Sequence, residues 1–304
     1  MNDIKTQDKN MTKVIIADIS LFLVAVVWGA GIPVSAMLAR TITPLWAVAL
    51  RMLASALCLM IVFPQKIVRA KKIDWSYSFI EALICTVVFT CMTFGLTYST
   101  ASKQSFISGL YVIFVPIFVW VVFRTAPSRW LFAGAFVTTA GLCVIGFTPE
   151  MAFNFGDMLS VFMAACLAIQ IIYTEWCVKR MDPTSLVVLH IILLSAILAV
   201  IALIFEPVPD FASFDMKIWG GIVFMSVFST VICFIVQFYA QRYTSAAHTA
   251  IICSLEGLFG CIVAIASGQD QFHLQGAVGG AMMIAGTMLA EAEVFIAGNK
   301  TKAA

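Results

Sequence analysis

The sequence has little charge. Of its 304 residues, 11% are Asp, Glu, Lys or Arg and 62% are hydrophobic, with a mean hydropathy of +1.01. A soluble domain carries about 25% charged residues, so the composition excludes an ordinary soluble protein. The formal net charge is only +2, and the chain contains no basic tract suited to nucleic acid, so we predict no nucleic-acid partner.

Catalytic and metal-binding motifs are also absent. The sequence contains no Walker A motif, no HExxH and no GxSxG, and none of its nine cysteines has a CxxC partner. An ATP-driven activity would therefore require a partner protein. We interpret the cysteines as small core residues and predict no enzyme activity, cofactor or metal, while proton coupling stays open.

Apolar runs of about 20 residues recur along the whole chain. That length crosses a hydrocarbon core of about 30 Å, and continuous rather than alternating runs favour helices over a barrel. The predicted fold is an all-α membrane protein with ten transmembrane helices. Pro, Gly and charged residues divide it into spans 1 to 10, at about 15–38, 44–63, 75–98, 102–123, 130–148, 157–177, 186–205, 218–240, 244–267 and 275–297.

The basic residues predict the orientation. Fourteen Lys and Arg fall in the two tails and in the loops on one side, whereas three (Arg40, Lys103 and Lys217) fall on the other. Since cytoplasmic loops carry the excess of Lys and Arg, both termini are predicted to be cytoplasmic. We expect a multi-pass protein of the cell (inner) membrane, with an uncleaved N-terminal tail.

The two halves of the chain resemble each other. At an offset of 145 residues, identical residues meet at Tyr98/Tyr243, Leu110/Leu255, Phe114/Phe259, Gly134/Gly279 and Gly141/Gly286, and at an offset of 139 Asp18 meets Asp157. Each half has five spans, an odd number, so the second repeat is predicted to be inverted. The predicted boundaries are 1–14 for the N-tail, 15–148 and 157–297 for the repeats, and 298–304 for the C-tail.

Several ordered segments resemble the drug/metabolite transporter superfamily, EamA type. They are "WGAGIPVS" and "ALRMLASAL" in spans 1 and 2, "TASKQSFISGLYVIFVPIF" in span 4 and "SAAHTAIICSLEGLFG" in span 9. The chain departs from the family where Gly257 replaces the proline that often follows the span-9 glutamate. The resemblance implies an inner-membrane carrier with alternating access that exports amino acids, other metabolites or drugs.

Charged residues inside spans mark candidate functional positions, because a charge at a helix centre costs roughly 2.5–3.5 kcal/mol. Glu256 is the deepest, and we predict that it binds substrate or a proton; the alternative is a packing contact between helices. Arg51 either lines the same cavity or extends to the outer interface. Its counterpart at offset 139 is His190, and histidine can change charge near neutral pH.

Further polar and aromatic residues complete the predicted site. Lys103 and His248 are counterparts at offset 145, and each is alternatively a solvated helix end. We place the aromatic residues Trp28 and Tyr111 in the site, and Gln237 either lines it or joins helices. Glu81 is instead expected to pair with a cation of the basic loop 64–74.

The lead hypothesis from the sequence is a secondary transporter of small metabolites such as amino acids or amphiphilic compounds. Its predicted partners are a small-molecule substrate and the lipid bilayer, and a homodimer stays open. The alternatives are a receptor or scaffold that keeps the fold without transport and, with less support, an intramembrane enzyme.

Overall fold

The protein is all-helical in a computed structural model that describes residues 2–98, 104, 107–146, 154–268, 271 and 273–302. No strand occurs in these residues. The helices are α1 (Asn2–Ala39), α2 (Pro44–Val62), α3 (Pro64–Val68), α4 (Lys72–Tyr98), α5 (Tyr111–Phe123), α6 (Arg129–Gly146), α7 (Phe155–Val178), α8 (Pro183–Phe205), α9 (Met216–Val223), α10 (Cys233–Ala240), α11 (Ala246–Cys253), α12 (Glu256–Ala266) and α13 (Leu274–Lys302).

Seven helical stretches are long and apolar enough to cross a membrane, and they coincide with predicted spans 1, 2, 3, 6, 7, 8 and 9. The predicted spans 4, 5 and 10 correspond to shorter apolar helices at Tyr111–Phe123, Arg129–Ile145 and Leu274–Ala290. The prediction of an all-helical, multi-pass membrane protein is confirmed, and seven of the ten predicted spans reach full length in the described residues.

Polar residues in the loops cap the helices. Asn154 and Asp157 form a reciprocal capping box at the start of α7, and Asp182 accepts a hydrogen bond from the Ser185 N–H at the start of α8. The N-terminus of α2 has no side-chain cap of its own. The Glu206 carboxylate supplies one from the far half of the chain, since it accepts hydrogen bonds from the first N–H groups of α2.

Helices α6 and α13 pack tightly in antiparallel orientation. A Cβ atom at Gly134 would lie 2.6 Å from the Gly286 carbonyl oxygen, and one at Gly141 would lie 2.6 Å from the Gly279 carbonyl oxygen. Only glycine permits such a close approach of two backbones. Gly134 corresponds to Gly279 in the repeat, and Gly141 corresponds to Gly286. The Gly134–Gly286 contact is therefore the repeat equivalent of the Gly141–Gly279 contact.

Other helix–helix contacts also occur as pairs of repeat-equivalent contacts. Helix α1 packs against α12, as the equivalent α7 packs against α5. Helix α4 packs against α7, as the equivalent helix from α9 to α10 packs against α1. The two halves are therefore arranged about a pseudo-two-fold axis, with α2 and α8 also packed together across it.

Both halves contain a helix break at the same repeat position. The Leu110 N–H donates to the carbonyl three residues earlier at 3.1 Å, and the Leu255 N–H does the same at 3.2 Å. Their φ and ψ angles also agree, at −60° and −15° for Leu110 and −59° and −13° for Leu255. These tight turns interrupt the α-helical ladder, and a new helix starts at the next residue in each half, Tyr111 and Glu256.

One helix of the second half contains a π-helical segment, Phe224–Ile232, between α9 and α10. Before this segment, Trp75 and Trp219 match at an offset of 144, whereas Tyr98 and Tyr243 match at 145 after it. A π-helix closes each hydrogen-bonded ring with one residue more than an α-helix does. The second half therefore carries one extra residue in the π segment.

Candidate functional site

The Arg51 side chain lies inside the helix bundle and is held by hydroxyl groups of the π segment. Its Nε donates a hydrogen bond to Thr230 Oγ1 at 2.7 Å, and its Nη2 donates to Ser229 Oγ at 3.3 Å. The guanidinium also lies over the Phe89 ring, 6.0 Å from the ring centre. These contacts orient the cation within the bundle, so the predicted extension of Arg51 to the outer interface is not the arrangement seen.

The π segment explains why its hydroxyls are available to Arg51. The Thr230 hydroxyl donates to the carbonyl of Met225, five residues earlier, at 2.8 Å, which leaves its lone pairs free to accept from the guanidinium. The Arg51 carbonyl is bound as well, because Ser55 and Ser226 donate to it at 2.7 and 2.9 Å. Helix α2 and the π segment are therefore joined at both the backbone and the side chain of Arg51.

The Glu256 side chain is the other charged group of this site. It is the first residue of α12, directly after the helix break, and it is half-buried. No described residue donates a hydrogen bond to its carboxylate. Arg51 and Glu256 interact electrostatically but form no direct ion pair within the described structure, so a polar group of a ligand can bind to each.

Helix α1 approaches this break closely. A Cβ atom at Gly29 would lie 2.8 Å from the Glu256 carbonyl oxygen, so only glycine allows the contact. The neighbouring Trp28 Nε1 donates to the Ser229 carbonyl at 2.8 Å, and its ring packs edge-on against Phe234, with 6.0 Å between ring centres. Trp28 therefore forms an aromatic wall beside the Arg51 contact.

Tyr111 completes the group from the first half. Its side chain is 3% exposed, and its hydroxyl interacts electrostatically with Glu256. Cys233, one residue after the π segment, interacts with both Arg51 and Glu256. The centre thus combines residues from spans 1, 2, 4, 8 and 9, and it offers a fixed cation, a carboxylate without hydrogen bonds from the described residues, and aromatic surfaces.

Comparison with known proteins identifies the family at this point. The sequence profile of the EamA-like transporter family matches the chain twice, over residues 15–147 and 154–291. The chain belongs to the EamA-like transporter family. The double match agrees with the repeated helix breaks and glycine contacts, and the resemblance noted from the sequence is confirmed.

The EamA-like protein also has similar relatives. Two proteins of Archaeoglobus fulgidus, each named an uncharacterized transporter, are 26% and 23% identical to it. The matches cover 82% and 80% of this chain and 77% and 85% of those proteins. A solved structure described only as a protein is 13% identical, with a TM-score of 0.76 over 90% of this chain and 96% of that one, which supports the fold.

His190 and Gln237, two more of the predicted site residues, form no described contact with Arg51 or Glu256. His190 is fully buried, with its ring stacked on Phe238 at 5.3 Å and its Nδ1 bound to the Leu186 carbonyl. Gln237 is 2% exposed, and its Oε1 has no hydrogen-bond partner in the described structure. Lys103 lies outside the described residues.

His248 forms a separate polar group at the start of α11. Its Nδ1 lies 2.8 Å from Ser245 Oγ, and its Nε2 lies 3.3 Å from the Ala290 carbonyl oxygen. Asp18 of α1 interacts with it electrostatically. Eight residues, about 12 Å of helix, separate His248 from Glu256 along the chain. His248 therefore belongs to one end of the bundle and not to the centre.

The expectation for Glu81 is wrong. It does not pair with a cation of the basic loop; its carboxylate accepts hydrogen bonds from Gln170 and Thr174 of α7. The loop residue Lys66 pairs instead with Asp182, at 2.9 Å. Sequence position suggested proximity to the loop but did not show that Glu81 points into the bundle.

Sequence reasoning also missed Ser229, Thr230 and Cys233. The only signal in the sequence was the change of repeat offset from 144 to 145 within this helix, which marks the extra residue. In the described residues of the EamA-like protein, no group of three or more His, Cys, Asp or Glu side chains could hold a metal ion.

Proposed function

We propose that this membrane transporter is a secondary carrier of small metabolites and that Arg51 and Glu256 bind its substrate. The observation that carries this proposal is the position of the two groups. They belong to opposite halves, lie in one polar centre, and leave the carboxylate open to a ligand. Carrier substrate sites of this kind lie between repeats, at discontinuous helices.

The chemistry of the centre favours a substrate with both an anionic and a cationic group, such as an amino acid. The Arg51 guanidinium is planar and suited to a carboxylate, and Glu256 can accept hydrogen bonds from an ammonium group. The positive end of the α5 dipole also favours an anionic group near Tyr111. Trp28 and Tyr111 provide aromatic surface for an apolar side chain, which also suits amphiphilic compounds.

The proposed cycle is alternating access between two inverted five-helix halves, residues 15–148 and 157–297, with ten helices across the membrane. The antiparallel α6–α13 contact and the matched breaks at Leu110 and Leu255 support this arrangement. The excess of Lys and Arg on one side supports cytoplasmic termini in the cell inner membrane. Export is the proposed direction, on the basis of the family resemblance.

The experiment is transport by the purified protein in liposomes. The probe is a radiolabelled mixture of amino acids, with amines and nucleosides as further panels, each measured with and without a pH gradient. We expect saturable exchange of at least one panel and a rise in the unfolding temperature in its presence, because a bound ligand stabilises the native state. No exchange and no thermal stabilisation by any panel would favour a non-transporting receptor or scaffold.

A further inference from the structure

Glu81 is a buried carboxyl group that the proposed substrate site does not use. Its side chain is 0% exposed and lies between α4 and α7. Gln170 Nε2 and Thr174 Oγ1 donate hydrogen bonds to its Oε1 at 2.5 and 2.6 Å, whereas its Oε2 has no partner in the described structure. All of its hydrogen bonding is therefore concentrated on one oxygen.

This pattern fits a neutral carboxylic acid. Two donors satisfy the two lone pairs of a carbonyl oxygen, and the second oxygen is then the hydroxyl that carries the proton. An ionised carboxylate would leave one buried, charged oxygen without a donor, which is strongly unfavourable in a low-dielectric interior.

The surroundings contain no counter-charge for Glu81 among the described residues. The titratable groups that interact with it are neutral when protonated; they are Cys85 on α4 and Tyr173 and Cys177 on α7. Helices α2 and α8 also pack against α4. Their candidates for a cation point elsewhere, since Arg51 of α2 contacts Phe89 and the π segment, and His190 of α8 stacks on Phe238.

The equivalent niche in the second half shows that packing does not require a carboxyl group. At the offset of 144, Glu81 corresponds to Met225, which packs against Gly31 and accepts a hydrogen bond from Ser35 at its sulfur, 3.7 Å away. Gly31 and Ser35 are themselves the counterparts of Gln170 and Thr174 at offset 139. The niche between α4 and α7 thus has a carboxyl group and two donors, whereas the equivalent niche between the π segment and α1 has a thioether and one hydroxyl donor.

A second unsatisfied oxygen lies near Glu81 along α4. Ser78 Oγ is buried and has no hydrogen-bond partner in the described structure. It precedes Glu81 by three residues, so both side chains share one face of the helix. Helix α4 begins at Lys72, beside the basic loop, and Ser78 lies between Lys72 and Glu81 along it. The Ser78 hydroxyl is therefore a polar group between Glu81 and the end of the bundle that carries the basic loop.

We propose that Glu81 is the proton-binding residue of the transport cycle. It holds a proton on Oε2 in the conformation described and, when α4 and α7 separate enough to admit water, transfers it to water beside Ser78, which leaves Glu81 as the carboxylate. The coupling part of this inference rests on the proposed transport function, whereas the protonated state does not. The proton site is thereby distinct from the substrate site at Arg51 and Glu256.

The first test is infrared difference spectroscopy on the full-length protein in lipid bilayers at neutral pH. The wild type should show the C=O stretching band of a protonated carboxylic acid, with a shift in heavy water, and Glu81→Gln should lose it. Glu256→Gln should retain the band. Glu81→Met reproduces the niche of the second half and serves if Glu81→Gln is unstable. A wild-type spectrum that matches both Glu81 variants in this region would overturn the proposal.

The second test is accumulation of the radiolabelled amino-acid mixture in proteoliposomes under an imposed pH gradient, with sodium held equal on both sides. We expect Glu81→Gln to lose gradient-driven accumulation and to retain exchange at equal pH. Accumulation equal to the wild type would overturn the coupling role even if the acid band is present. If the wild type moves no solute, the proposed transport function fails, and that result is separate from the infrared result.

Discussion

Tyr111 and Glu256 occupy equivalent positions, 145 residues apart, in the two halves of the protein. Each is the first residue of a helix that follows a tight turn at a leucine, Leu110 or Leu255. Tyr111 is buried and Glu256 is half-buried, and the two interact electrostatically. The repeat thus places a phenol in one half and a carboxyl group at the equivalent position of the other, and we propose that this asymmetry creates a polar ligand site.

Arg51→Lys is predicted to weaken binding while leaving the fold intact. Lysine keeps the charge but loses the planar group that donates to Thr230 and Ser229. A hydrogen bond to a charged group contributes about 1.5–3 kcal/mol, so half-saturation for the amino-acid mixture should rise roughly 10- to 150-fold. The matched control is Arg40→Lys at the exposed end of α1. Normal transport by Arg51→Lys would show that the guanidinium geometry is irrelevant.

Thr230→Val is predicted to reproduce most of the Arg51→Lys defect. Valine has the shape of threonine but neither accepts from Arg51 Nε nor donates to the Met225 carbonyl. Ser229→Ala should have a smaller effect, because its bond to Arg51 is 3.3 Å and Trp28 binds its backbone. Half-saturation measured for both variants tests this order, and a larger defect in Ser229→Ala would contradict it.

How the π segment positions Arg51 could not be derived from the sequence. The internal repeat followed from residue identities, whereas the inversion of the halves and the substrate site at Arg51 and Glu256 stay predictions. The single extra residue in Phe224–Ile232 changes which side chains face Arg51, and periodicity analysis treats that helix as regular. Glu81 was misassigned for a related reason. Distance along the chain does not reveal which way a helix face points, and in Glu81 that direction is set by packing of α4 on α7.

Gly134→Ala is predicted to destabilise the α6–α13 contact by about 1–3 kcal/mol. The new Cβ would lie 2.6 Å from the Gly286 carbonyl oxygen, and backbone cannot move aside as a flexible side chain can. The repeat-related Gly279→Ala should have a similar effect. Gly276→Ala is the control, since no atom lies within 4 Å of its Cβ position, and alanine there should be neutral or stabilising by up to about 1 kcal/mol.

The stability of these glycine variants is measured as the unfolding temperature of the purified proteins in detergent. The expected order is Gly276→Ala at or above the wild type, with Gly134→Ala and Gly279→Ala below it. If all three variants behave alike, the close backbone contact does not stabilise the protein.

Asp182 is predicted to make stability depend on pH at one end of the bundle. Burial acts to raise the pKa of Asp182, but hydrogen bonds from Lys66 and Ser185 more than offset this and lower it below its usual value. A lowered folded-state pKa means that the stabilisation is present above the ordinary aspartate pKa of about 3.9 and is lost as the pH falls through the folded-state value.

Two variants of Asp182 separate the stabilisation by its ion pair with Lys66 from the stabilisation by its helix cap. Asp182→Asn keeps an acceptor for the helix cap and should lose less than about 1 kcal/mol, the range of an exposed ion pair. Asp182→Ala also loses the cap and should lose about 1 kcal/mol more. The difference between wild type and Asp182→Asn, measured by thermal unfolding, should shrink on acidification below the ordinary aspartate pKa. A difference that grows on acidification would reverse the sign of this account.

Solute exchange by Glu256→Gln in proteoliposomes tests the central claim most directly. Glutamine keeps the size of the side chain and removes its charge, so the helix break and the contact with Gly29 should persist. We predict that the variant keeps the expression level and unfolding temperature of the wild type but loses exchange of the radiolabelled amino-acid mixture. Exchange at the wild-type rate would contradict the assignment of Arg51 and Glu256 as the substrate site.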